Sequence, residues 1–137
     1  MPYLGYELDC IPHNIEMDYP RIIAHHITEE FPDYTEDGYE YIGEGNDRSG
    51  WIPEVYAILS ADGVQCACVS MRCPSTGFVS FRNSNGNRYH VTLSLAEGKR
   101  PVESNRLIEK WEQQQYEGQV IKTKGFTLAV SPLKEFK

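Results

Sequence analysis

Apolar and polar residues alternate with a period of two over several stretches of the chain, the mark of half-buried β-strands. Alternation and short apolar, β-rich runs together predict strands at Tyr3–Leu8, Arg21–Thr28, Glu54–Ser60, Val64–Met71, Phe78–Arg82 and Arg88–Leu95. Ala61-Asp62-Gly63 joins two of them with an Asp-Gly turn, a strong hairpin signal. Asn83-Ser84-Asn85-Gly86-Asn87 predicts a further turn. One stretch follows the helical period instead. Beyond Pro101, Ser104 or Asn105 is placed to cap a helix running to about Tyr116, with Leu107, Ile108 and Trp111 on its buried face. Gly118 ends that helix, and Gln119–Ser131 predicts a strand pair or one strand bent at Gly125. Asp9–Pro20 leaves room only for a short helix or turns, and residues 33–53 read as loop. Many strands with one or two helices predict a single α+β domain over residues 1–137.

Two of these strands carry the same tripeptide pattern. His26-Ile27-Thr28 and His90-Val91-Thr92 stand 64 positions apart. Residues i and i+2 of a strand share a face, so each histidine is predicted beside its threonine, with Ile27 and Val91 turned into the core. His25 is predicted on the face opposite His26. Imidazole is half-protonated near neutral pH and serves as base or acid. Two of them flanking one phosphorus divide those roles, while threonine hydroxyls donate to the non-bridging oxygens. The pattern therefore points to phosphodiester chemistry that needs neither metal nor other cofactor, with His26, Thr28, His90 and Thr92 as the catalytic set.

Charge narrows the substrate. The net charge is −7, yet Glu29–Glu54 alone holds nine acids against Arg48, and the chain from Arg72 onward holds eleven bases against six acids. A binder of long DNA or RNA neutralises many phosphates with a broad basic surface. The acidic segment favours short or cyclic nucleotides over long nucleic acid. No run of about 18 apolar residues exists, and no membrane partner is expected. Met1–Glu7 shows no basic region followed by an apolar run, so no secretory leader is expected. Cys10, Cys66, Cys68 and Cys73 accordingly read as reduced thiols of a cytoplasmic protein rather than a disulfide framework or a zinc site.

Ala24-His25-His26-Ile27-Thr28 and His90-Val91-Thr92-Leu93-Ser94, followed by Pro101-Val102-Glu103-Ser104-Asn105, resemble the 2H phosphoesterase superfamily, with its two His-x-Thr/Ser motifs. The likeness is to RNA-repair-like and small viral members, including phage anti-CBASS nucleases, and covers about a third of the chain. It implies a two-lobed, pseudo-symmetric fold with antiparallel sheets lining a central cleft. It also implies metal-independent hydrolysis of a cyclic di- or trinucleotide signal in a host cytoplasm. Alternatives are short RNA ending in a 2′,3′-cyclic phosphate, or a protein that sequesters a nucleotide without cleaving it.

Other residues carry two readings each. Arg88 shares the face of His90 and either offsets phosphate charge or is a solvated edge residue. Glu30 either orients an imidazole or is solvated at the strand end. Tyr6 and Trp51 are candidates to stack on a base, as are Phe31, Tyr34, Tyr39 and Tyr41 of the acidic segment; the alternative for all is packing.

Overall fold

The Asp62-Gly63 turn builds the spine of the molecule. Both residues take positive φ, 54° and 78°, the left-handed pair that lets a two-residue turn follow strand twist. They join β6 (Ile52–Ala61) to β7 (Val64–Arg72), paired from Ala61 opposite Val64 to Ile52 opposite Arg72 with a shift of register between Val55 and Ala57. The computed structural model describes residues 2–35, 38–43 and 46–137. Its other elements are β1 (Tyr3–Glu7), β2 (Arg21–Ile22), β3 (His26–Glu30), β4 (Asp33–Thr35), β5 (Gly38–Glu40), β8 (Val79–Ser80), β9 (His90–Leu95), α1 (Glu103–Glu112), β10 (Gln119–Thr127) and β11 (Lys134–Phe136).

The larger sheet has the order β10-β6-β7-β9-β2, with β8 added to β7; the smaller is β11-β1-β3, and β4 pairs with β5. All these pairings are antiparallel, and the fold is α+β with one helix among the described residues. Residues 64–69 of β7 are buried without a break, because both faces of this central strand are covered. On one face Ala67, Val69, Val91 and Leu93 meet Tyr6, Leu8 and Ile27 of the smaller-sheet side. On the other, Cys66, Cys68, Leu59 and Leu95 meet Leu107 and Ile108 of α1. Burying each of those two helix side chains is worth about 2 kcal/mol.

Several expectations are corrected. The predicted strand Arg21–Thr28 is broken at Ile23–His25: β2 pairs with β9, and β3 pairs with β1 in the other sheet. Ala24, buried and at φ 39°, makes the break. The helix is capped by neither Ser104 nor Asn105; its N-cap is Val102, without a side-chain bond, because Ser104 turns inward toward β9. It ends at Glu112, short of Tyr116. Gln114 is left-handed at φ 59°, and the Gln115 N–H reaches back to the Lys110 carbonyl, closing the last turn in a Schellman arrangement. Asp9–Pro20 takes the second of its two readings, turns, whereas the expected loop 33–53 contains the β4–β5 hairpin. Residues 36, 37, 44 and 45 of that segment lie outside the described residues.

Candidate active site

Two strands from two sheets deliver the paired motifs to one place. His26 and Thr28 of β3 and His90 and Thr92 of β9 line a single cavity of about 220 Å³. Tyr3, Phe31, Asn83, Asn87 and the start of α1, Pro101 and Val102 with Asn105, complete its wall. The alternation behaves as expected at both motifs: Ile27 and Val91 are fully buried behind the site. Gly5 lets β1 lie close behind β3, since a Cβ there would stand 2.6 Å from the Ile27 carbonyl oxygen.

The imidazoles are held differently. His90 Nδ1 lies 3.0 Å from the Arg88 carbonyl oxygen. A carbonyl only accepts, so the neutral ring carries its proton on Nδ1 and presents a bare Nε2. His26 Nδ1 has two neighbours, the Tyr3 hydroxyl at 3.3 Å and His25 Nδ1 at 3.1 Å. Its ring sits among aromatic rings, 4.8 Å from Tyr3 and 5.5 Å from Phe136 between centroids. Burial, then the charges of His25 and His90, push the His26 pKa down to about 4. Burial also lowers that of His90, against the pull of the Arg88 carbonyl. Both rings are therefore neutral at pH 7. An anion placed between them would raise both.

The hydroxyls differ too. Among the described residues, Thr28 has no hydrogen-bond partner for its hydroxyl, which faces the cavity. The Thr92 hydroxyl donates to the Pro101 carbonyl at 3.3 Å and meets the Ser104 hydroxyl at 2.8 Å. Thr92 thus fastens the start of α1 to β9 as well as facing the site. No Lys, Arg, Asp or Glu lines the cavity among the described residues. The polar groups that line it are hydroxyls, amides and imidazoles, beside the start of α1.

Five assigned residues move. Tyr6 is buried and donates to Glu29 at 3.0 Å, so it cannot stack on a base. Trp51 packs against the core beneath the Arg48 guanidinium, 5.0 Å from its ring centre, away from the cavity. Arg88 is neither free nor solvated at an edge: it pairs with Glu112 at 2.8 Å and bonds the Tyr56 hydroxyl at 3.1 Å. It lines an adjoining groove rather than the cavity. Glu30 is buried and accepts the Gly43 N–H, remote from either imidazole. His25 stands beside His26 instead of opposite it, because the break at Ala24 takes it out of the strand alternation. Of the loop aromatics, Phe31 lines the cavity, while the Tyr34 side chain lies outside the described residues. The cysteines are dispersed: Cys66 and Cys68 are buried, Cys73 is half-exposed and Cys10 exposed.

Glu29 is the residue that sequence reasoning missed. It is the extra residue of a bulge in β3, since Thr28 pairs with Gly5 and Glu30 with Leu4. Its buried carboxylate accepts from Tyr6, from Tyr89 at 2.6 Å, and from the Ser84 N–H and hydroxyl. Tyr89 precedes His90 and Glu29 follows Thr28, so this bond ties the two motif strands together. Nothing in the local pattern marks a glutamate at a strand end for burial. Asn83, which donates to the Thr28 carbonyl at 3.1 Å, was likewise visible only as a turn residue.

Compared with protein-family models, curated proteins and solved structures, the chain matches none. No helix among the described residues is long and apolar enough to cross a membrane.

Proposed function

We propose that the chain is a phosphodiesterase of the two-histidine kind, akin in plan to the two-lobed 2H phosphoesterases, acting on a cyclic di- or oligonucleotide signal. One observation carries this reading: two His-x-Thr pairs, far apart in sequence and set on different sheets, meet at one cavity. A neutral imidazole takes the proton of the attacking hydroxyl or water, and the other, protonated once the anion is bound, gives its proton to the leaving oxygen. The Thr28 hydroxyl, unengaged among the described residues, donates to a non-bridging oxygen.

The cavity volume suits one phosphate and its sugar rather than a whole dinucleotide. A second groove, of about 300 Å³, shares Asn87 and Asn105 with the cavity and leads past Arg82, Arg88, Glu109 and Glu112. That continuation supports a substrate longer than one nucleotide. Its guanidiniums and carboxylates offer both donors and acceptors, as a base edge requires.

The test is incubation with cyclic dinucleotides, cyclic trinucleotides and RNA ending in 2′,3′-cyclic phosphate, with products identified by mass. Cleavage of a cyclic oligonucleotide, lost in His26→Ala and His90→Ala, is the expected result. Cleavage of the RNA end alone moves the protein to RNA processing. Tight binding without turnover makes it a nucleotide sponge.

A further inference from the structure

The adjacency of His25 and His26 is built, not incidental. Ala24 adopts φ 39°, a conformation rare and costly for a residue with a Cβ. Backbone bonds hold it there: the Ile23 and Ala24 N–H groups donate to Leu93 and Thr92 carbonyls at 2.8 and 2.9 Å, and the Leu8 N–H donates to the His25 carbonyl at 2.9 Å. The outcome is a line of polar groups leading from the cavity to the surface. His26 Nδ1 lies 3.1 Å from His25 Nδ1, His25 Nε2 lies 3.5 Å from Glu7 Oε2, and Lys134 Nζ lies 3.0 Å from Glu7 Oε1.

Two facing Nδ1 atoms hold one proton between them. With Glu7 beside His25 Nε2, the neutral arrangement places a proton on that Nε2 and leaves His25 Nδ1 bare to accept the Nδ1–H of His26. His26 then turns a bare Nε2 to the cavity. Tyr3 is the other neighbour of His26 Nδ1, and a phenol does not take up a proton in water. Lys134 keeps Glu7 ionised. His90, across the cavity, is the remaining titratable group facing His26.

We propose that His25 is a positioning residue that fixes the tautomer of His26 and accepts its proton during the reaction. When a substrate hydroxyl gives its proton to His26 Nε2, the Nδ1 proton of His26 passes to His25 Nδ1. The positive charge rests on His25, against Glu7 at the surface, and His26 stays neutral in its aromatic surroundings. The reverse transfers restore both neutral rings, and only O–H and N–H bonds change. This deepens the two-histidine reading of the site and rests on it for the catalytic step alone.

The experiment is nitrogen-15 NMR of the histidine-labelled full chain, for the native protein, His25→Ala and the surface variant Glu7→Gln. His26 is expected as the Nδ1–H tautomer in the native protein, and as Nε2–H once His25 is removed. With whichever cyclic nucleotide the native protein cleaves, kcat falls about ten- to a hundredfold in His25→Ala, with KM within about twofold. Glu7→Gln lowers kcat in the same sense by a smaller amount and leaves folding intact. A native His26 protonated on Nε2, or a tautomer that His25→Ala leaves unchanged, overturns the relay whatever the protein cleaves. Failure to cleave any nucleotide overturns the enzyme reading, and the tautomer measurement still decides the coupling of the rings.

Discussion

The half-site on β3 and the half-site on β9 share a tripeptide and differ in almost everything around it. His90 is locked by one backbone carbonyl, and its threonine is spent on the start of the helix. His26 leans on side chains, Tyr3 and His25, and its threonine hydroxyl is unengaged within the described protein. The β9 half is fixed by architecture, whereas the β3 half is adjustable chemistry. A repeated motif therefore does not imply repeated roles. The neighbours of each copy decide which group grips the ligand and which holds the fold.

The largest effect expected is loss of hydrolysis by about 10²- to 10⁴-fold in His26→Ala or His90→Ala. Near-native turnover in either would break the paired assignment. The threonines separate the halves more sharply. Thr28→Val is expected to lower kcat about ten- to a hundredfold and to leave stability within about 0.5 kcal/mol. Thr92→Val strands the Ser104 hydroxyl and the Pro101 carbonyl and costs about 1–3 kcal/mol by denaturant titration. Equal stability losses in the two variants would erase the contrast.

Acid also distinguishes the site. The folded pKa of His26, about 4, lies below the ordinary value of 6.5, so the unfolded chain takes up this proton first as pH falls. Its contribution to stability is complete above 6.5 and is lost on descending through the window to about 4. His26→Asn should flatten part of that slope in unfolding curves measured across the window, and an unchanged slope would sink the attribution. For the same reason kcat/KM, which reports the free protein, should peak on the acid side of the optimum for kcat, where bound phosphate raises both imidazoles. The smallest expected effect is Trp51→Phe, which should leave KM within about twofold because the ring touches Arg48 and the core rather than the cavity.

Local pattern announced the hairpin at Asp62-Gly63 and the buried partners Ile27 and Val91, since turn chemistry and alternation are short-range properties. It also placed the four motif side chains, because i, i+2 geometry needs only a strand. The break at Ala24 was not read: Arg21–Thr28 is one run of strand-compatible residues whose consecutive Ile22-Ile23-Ala24 and His25-His26 already depart from strict alternation, and the break arises where β9 and β1 compete for one segment. His25 was misplaced for that reason alone. Tyr6 and Trp51 show another limit, since an aromatic ring at a strand or loop has the same pattern whether it packs or binds. Arg88 was read as the first residue of the strand but stands just before β9, in an isolated bridge with Arg82, and its ion pair with Glu112 joins positions 24 apart, beyond any local pattern. Ser104 was seen as a cap because that is what serine does near a helix start; its actual partner, Thr92, lies on another element.

The bond between Glu29 and Tyr89 has a mechanical consequence. Together with the Ala24–Thr92 backbone bond it bolts the two motif strands at both ends of the reacting groups, at 2.6 and 2.9 Å. The imidazoles sit between two pins and cannot be drawn apart by flexing one sheet against the other. Ligands of different size must be met by the rim, where Phe31 and Val102 stand exposed on segments outside the bolted span. Substitutions at those two positions are the ones with which to widen or narrow the range of accepted ligands while the jaws keep their spacing.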